Sequence, residues 1–143
     1  IGLNQISNIK RFIQIRRNNY SYLKKLIKNI KLIEFHEHNL DTSFFWSYYC
    51  FPIILSKKIY KYRTEIIKKI NSFKIGTSIY YPKPVPRMSF FKKKYKYLVK
   101  KNFLNAEKFS SRTIMLPIGQ HLSIKQIEQI AKVLKKIFKF YNQ

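Results

Sequence analysis

The stretch KIGTSIYYPKPVP, residues 74–86, decides the architecture. Its first half is β-branched and aromatic around a glycine, so residues 77–81 are expected to form a short strand entered through a turn at Gly76. Its second half carries Pro82, Pro84 and Pro86, a density that excludes regular helix and central strand. A stiff, extended loop is expected there.

Towards the N-terminus, Ser56 is placed to cap a helix over residues 56–73, with Tyr62, Ile66, Ile67, Ile70 and Phe73 on its inner face. Residues 43–55 are aromatic and β-branched and read as a buried strand, broken or ended near Pro52. The polar residues 34–42 read as a connection. Before them, Ile6, Ile9, Ile13, Tyr20, Leu23, Ile27 and Ile30 step by three and four, with Arg16 in the one polar slot. That spacing predicts a long amphipathic helix over residues 4–31. Phe12 and Leu26 widen its stripe, which favours packing on a globular body over an isolated coiled coil.

Towards the C-terminus, residues 92–101 form a very basic stretch that reads as mobile, followed by a short helix over 104–110. Residues 112–116 are a further strand candidate, closed by Pro117 and Gly119. Ser123 and Gln126 stand in capping-box spacing, and Ile127, Ile130, Leu134, Ile137, Phe138 and Tyr141 then line one helix face. Short strands without long parallel crossovers give an α+β fold, a three-stranded antiparallel sheet flanked by helices and preceded by a long amphipathic helix.

The 143 residues suffice for one domain with a real core, and 45% hydrophobic content argues against disorder. Cys50 is the single cysteine, so no internal disulfide is available and nothing points to secretion. It reads as a small buried hydrophobe, and Phe44, Phe45, Trp46, Phe51 and Phe73 read as core. The apolar run before residue 55 is far short of the roughly 20 residues that span a bilayer. No membrane association is expected.

Against 6 Asp and Glu stand 30 Lys and Arg, for a net charge of +24. Lysine outnumbers arginine four to one, and Gly numbers 3 where average usage gives about ten. The crowding of Lys, Ile, Asn, Tyr and Phe matches a base-composition bias, so dispersed lysines are a surface drift and not a footprint for a partner. A freestanding basic nucleic-acid-binding protein is the rival reading, and a helical scaffolding module a third. Specific nucleic-acid recognition would need charge clustered on one face with arginine favoured. His36, Glu37 and His38 lack the spacing of an i, i+4 ligand pair and read as a solvated helix end or loop, so no metal site is expected. His121 reads as an isolated surface residue.

Five segments in order resemble one family. They are Ile1-Gly2-Leu3-Asn4-Gln5, Tyr48-Tyr49-Cys50-Phe51-Pro52-Ile53, the Arg63-led helix running to Gly76-Thr77 and Tyr80-Tyr81-Pro82-Lys83-Pro84, Asn105-Ala106-Glu107, and Leu116-Pro117. The pattern is similar to the C-terminal part of nucleotide-sugar aminotransferases of the DegT/DnrJ/StrS type, fold type I enzymes that depend on pyridoxal phosphate. Tyr80 and Tyr49 stand where the family usually has histidine, and Pro86 replaces another, so no histidine contact carries over.

The resemblance implies that residues 1–38 are a long interdomain helix and residues 39–143 a C-terminal small domain. The Schiff-base lysine, the aspartate on the pyridine nitrogen and the phosphate-binding residues would lie upstream of Ile1, in a cofactor-binding domain absent from this chain. The sequence lacks an initiator Met, as expected of such a fragment. The implied enzyme is cytoplasmic and homodimeric, and moves an amino group from glutamate to a keto sugar carried on a nucleotide. No catalytic or cofactor-binding residue is expected here. Tyr80, Tyr81 and Lys83 are the expected substrate-binding residues, because a rigid proline loop can hold a phenol and an ammonium at the mouth of a sugar-diphosphate site. Strand alternation would send only one of the two tyrosines towards it.

Overall fold

Phe51, Ile53 and Leu55 alternate with Pro52 and Ile54, and this five-residue pattern organises the molecule. The computed structural model describes residues 2–35 and 46–142. Its helices are α1 (Gly2–Ile27), α2 (Arg63–Ser72), α3 (Ser89–Lys94), α4 (Leu104–Arg112) and α5 (Ile124–Phe140). Its strands are β1 (Ile33–Phe35), β2 (Phe51–Leu55) and β3 (Thr113–Leu116), with 3₁₀ turns at Tyr60–Tyr62, Val85–Arg87 and Lys96–Val99. The sheet order is β1-β2-β3 and both pairings are antiparallel.

Registers put Ile33 opposite Leu55, Phe35 opposite Ile53, and Phe51 opposite Leu116. Phe51, Ile53, Leu55, Ile114 and Leu116 are wholly or almost wholly buried and join Leu23, Ile27, Ile66, Ile70, Leu134 and Phe138 in one core. Helix α5 packs on α1 and α2, and α4 lies against β2. Each fully buried Ile, Leu or Phe contributes about 1.5–3 kcal/mol, which is why α5, with seven buried residues, anchors the helical layer. The capping box at its start forms as expected: Gln126 N–H donates to Ser123 Oγ at 3.3 Å and Ser123 N–H to Gln126 Oε1 at 2.8 Å.

The three-stranded antiparallel sheet is the expected one, but its membership differs. Ile33–Phe35, expected within or beside a connection, is strand β1. Only Ser78 of residues 77–81 pairs, through an isolated bridge to Met115 with N–H···O distances of 3.1 and 2.9 Å. Of the strand expected over 43–55, residues 43–45, with Phe44 and Phe45, lie outside the described residues; from residue 46 onwards it is regular only from Phe51, beginning at Pro52's neighbour instead of breaking there. On the β3 side Pro52 stands opposite Met115, whose N–H and carbonyl are both bonded to Ser78, so no bond to β3 needs the missing N–H.

Other departures have local causes. Helix α1 ends at Ile27, where an Ile30 N–H to Ile27 carbonyl turn of 3.0 Å redirects the chain so that Leu32 and Ile33 enter the core. Ser56 caps no α-helix; its carbonyl accepts from Ile59 and Tyr60 in a tight turn, and α2 starts at Arg63. The turn after α2 is made by Lys74, at φ 60°, and not by Gly76. Residues 92–101 are not a structureless stretch but belong to α3 and the Lys96–Val99 turn. Trp46 and Phe73, expected in the core, are exposed. Cys50 is half-buried, and burial pushes its thiol up from the ordinary value. His36, Glu37 and His38 lie outside the described residues.

Arg63, which opens α2, reaches across to the end of α4 and donates from Nη1 to the Ser110 carbonyl. A cation there satisfies a terminal carbonyl and complements the helix dipole. Burial lowers the affinity of this guanidinium for its proton. Its place in the family-like pattern is therefore a structural tie between two helices.

Candidate functional site

At one end of the sheet, Arg16 of α1, Tyr49 and Cys50 before β2, Ser78 and Tyr80, and His121 after β3 line an open cavity of about 420 Å³. Each side chain arrives by a different route. Arg16 occupies the polar slot of the α1 stripe, where its Nε–H donates to the Phe12 carbonyl at 3.4 Å. Tyr48 adopts φ 48°, and consecutive tyrosines take separate partners around it: Tyr48 packs edge-on to buried Tyr20 with ring centroids 5.3 Å apart, while Tyr49 lies 6.3 Å from Tyr80.

Ser78 and Tyr80 are brought in by the Ser78–Met115 bridge. The hydrogen bond from the Tyr49 hydroxyl to Tyr80 is the largest influence on Tyr49 and holds its phenol above the ordinary 10.0. Cys50 Sγ lies 3.6 Å from Met115 Sδ on the cavity floor. His121 is held over Gly119, where any Cβ would come within 2.5 Å of the imidazole Cε1 and 2.7 Å of Nδ1.

Of the three residues expected at a substrate site, Tyr80 lines the cavity. Tyr81 is 68% exposed and stacks at 6.1 Å on the outer side of Tyr80 without lining it. Lys83 is exposed on the proline loop and does not line it either. Pairing stops at Ser78, so strand alternation does not decide which tyrosine faces the cavity. Arg16, Tyr49 and His121 are among the lining residues that were not expected. Arg16 carried a signal, a guanidinium interrupting an otherwise apolar stripe. Tyr49 and His121 carried none, because their neighbours come from segments far apart in the chain.

The chemistry of this lining is that of recognition. It offers a guanidinium, phenols, a hydroxyl and an imidazole, all able to donate to oxyanions or sugar hydroxyls. Among the residues lining it there is no lysine to form an imine and no carboxylate to face a pyridine nitrogen.

The architecture matches a portion of solved sugar aminotransferases. The Helicobacter pylori aminotransferase PseC superposes with a TM-score of 0.82 at 19% identity, covering 96% of this chain and 36% of that one. The aminotransferase TlmJ from Streptoalloteichus hindustanus superposes with a TM-score of 0.85 at 16% identity, covering 99% and 36%. In sequence, the lipopolysaccharide biosynthesis protein RfbH of Salmonella typhimurium is 25% identical over 138 residues, 96% of this chain and 31% of that protein. The chain belongs to the DegT/DnrJ/EryC1/StrS aminotransferase family, whose model matches residues 1–135. It spans about a third of the length of these relatives.

Enzymes of this family depend on pyridoxal phosphate. The cavity does not fit that cofactor, for want of the amine and carboxylate just named. No step through it is assigned to these residues.

Proposed function

We propose that this chain is the C-terminal portion of a pyridoxal phosphate-dependent aminotransferase acting on a nucleotide-linked keto sugar, with the cofactor held by residues outside the chain. The observation that carries the reading is the cavity itself: donors for oxyanions and hydroxyls, gathered at one sheet end of a chain of this family, without cofactor-binding groups. Its role is to close the substrate side of the active site. The relatives support a sugar substrate, since RfbH is described as a lipopolysaccharide biosynthesis protein and PseC as an aminotransferase of pseudoaminic acid biosynthesis. They lend no support to a freestanding nucleic-acid-binding protein.

On this reading the link between the two domains, expected over residues 1–38, is helix α1 alone, since Ile33–Phe35 joins the sheet; Leu3, Ile6 and Ile9 carry a stripe that stays exposed beyond the body while Tyr20, Leu23 and Ile27 of the same helix are buried. Glutamate is the amino donor, the enzyme is a homodimer, and it works in the cytoplasm. No helix among the described residues is long and apolar enough to cross a membrane. Tyr80 presents a phenol or ring face to the sugar from the cavity, and Tyr81 and Lys83, which do not line it, extend the site along the proline loop with a ring and a compact positive charge for the diphosphate.

The test uses the complete protein. Lys83→Ala should raise KM for the sugar nucleotide more than it lowers kcat, with a loss of about 1–2 kcal/mol in kcat/KM, as for a charge-assisted contact open to water. Tyr80→Phe should exceed Tyr81→Phe in effect, because only Tyr80 lines the cavity. The glutamate half-reaction, which does not use the nucleotide, should be unchanged in Lys83→Ala. Parent-like behaviour of all three variants would remove the loop from the site.

A further inference from the structure

Strand β2 ends at Leu55 and β3 begins at Thr113, opposite Ile54, so Ser56 and Arg112 flank one end of the sheet. It is the end away from the cavity, whose lining takes Cys50 and Leu116. The Nε and Nη1 atoms of Arg112 and the Oγ of Ser56 are buried there, and none of the three meets a hydrogen-bond partner. Buried polar groups of folded proteins are hydrogen-bonded almost without exception. A guanidinium only donates, so an acceptor is what this end of the sheet requires.

The surroundings add positive charge. Arg63, half-buried at the start of α2, donates from Nη1 to the carbonyl of Ser110, two positions before Arg112. The Tyr60 ring lies against Arg112, its centroid 5.0 Å from the guanidinium carbon, which shields one face of the cation but gives its N–H groups no acceptor in the plane. Ser56 belongs to the same short turn as that ring, since its carbonyl accepts from the N–H groups of Ile59 at 3.2 Å and Tyr60 at 3.1 Å. The four carboxylates among the described residues are engaged elsewhere: Glu34 with Lys108, Glu65 with Lys69 and Tyr141, Glu107 with Arg87, and Glu128 with Tyr22. Two half-buried guanidiniums thus share a sheet end without a carboxylate to face them, and partly desolvated charge of that kind calls for a counter-ion.

We propose that this end of the sheet binds a small inorganic anion of halide size, held by the Arg112 guanidinium and the Ser56 hydroxyl in the field of Arg63. The size follows from burial: the unpartnered atoms present almost no surface, so an anion that carries an organic body cannot seat among them. Once bound, it neutralises the guanidinium pair and ties the turn after β2 to the end of α4. The inference stands apart from the aminotransferase reading, because it uses only the junction of α2, α4 and the sheet. Surface lysines also attract anions, but at physiological ionic strength their attraction is screened within about 8 Å and does not saturate, whereas a seat of buried donors fills.

The chain is titrated with sodium chloride in one arm and, at matched ionic strength, with sodium gluconate in the other, following the Arg112 Nε–H and Ser56 amide signals by nitrogen-15 NMR. Gluconate screens the surface equally but is too bulky for the seat. Saturable shifts at both residues are expected with chloride and not with gluconate. Arg112→Gln, read at the Ser56 amide, should weaken chloride binding at least tenfold, while the core amide signals of Ile66 and Leu134 stay in place. Ser56→Ala, read at Arg112 Nε–H, should weaken it by a smaller factor. The proposal is overturned if chloride leaves the parent's Arg112 signal in place or moves it no more than gluconate does, a result independent of whether any variant folds. Unchanged affinity in Arg112→Gln overturns it equally. Sugar-nucleotide turnover by the complete protein is read separately: chloride binding without turnover retains the anion seat and removes the aminotransferase reading, and turnover without chloride binding does the reverse.

Discussion

The guanidinium of Arg87 grips the carboxylate of Glu107 through two nitrogens, Nε and Nη2, each 2.7 Å from the same oxygen. The remaining donors reach the carbonyls of Leu98 at 3.2 Å, Val99 at 2.9 Å and Lys101 at 2.8 Å. One side chain thus ties the Val85–Arg87 turn to α4 and to the basic segment between them. Six lysines in residues 92–101 repel one another and face water, and this network gives them an ordered path.

Arg87→Ala should therefore loosen a region out of proportion to one residue. Its side chain and that of Glu107 are only partly exposed, at 21% and 36%. A loss of about 1–3 kcal/mol in local or global stability is expected for charge-assisted bonds of this kind. Hydrogen exchange read by residue should quicken at 96–101 first. Arg87→Lys should recover little, since an ammonium cannot reproduce the fork. Exchange rates equal to the parent's would show that the network is not what orders the segment.

Gly119→Ala separates stability from site geometry. The new methyl group would collide with the His121 imidazole, yet that side chain is exposed and can swing away. Stability should change by no more than about 0.5 kcal/mol, as for ordinary surface substitutions. The His121 ring signals should move to solvent-like positions. A large loss of thermal stability would mean that the glycine serves the fold instead.

Lys74 pays for the turn after α2 with a left-handed backbone, φ 60°, where a Cβ meets the following carbonyl. Its N–H bonds the Asn71 carbonyl at 2.8 Å, so the turn is kept whatever the side chain. Lys74→Gly should stabilise by up to about 1 kcal/mol, the difference between relieved strain and added chain entropy. The urea midpoint should rise at constant slope. A lower midpoint would contradict it.

Glu65 gives the acid limb a defined sign. Its hydrogen bond with Lys69, 2.8 Å away, and then that with the Tyr141 hydroxyl, also at 2.8 Å, lower its carboxyl below the ordinary 4.5. The unfolded chain therefore binds the proton more readily, so the contribution is complete above about 4.5 and fades as pH falls through the folded value. The melting-temperature gap between parent and Glu65→Gln should be present at pH 7 and shrink on acidification. A gap independent of pH would exclude the carboxylate as its source.

What could be read from the sequence was what neighbours in the chain decide. Helix α5 was legible in start, face and core residues, because Ser123, Gln126 and the apolar stripe act within a few turns of one another. The C-terminal half of α1, the pairing role of residues 113–116 and the proline loop were legible for the same reason, and the ordered run of motifs pointed to the family. Strand β1 was not legible: three residues with Glu34 at the centre carry no periodicity, and they become a strand only because Ile53, Ile54 and Leu55 pair with them. The site was legible at Tyr80 and silent at Tyr49, while Arg16, a guanidinium in an apolar stripe, gave no sign of its neighbour His121. Those two share a cavity because Asn19 bonds the Gly119 carbonyl, a contact a hundred residues long in the chain, and bonds of that span form only where the packed core has already brought the backbone together.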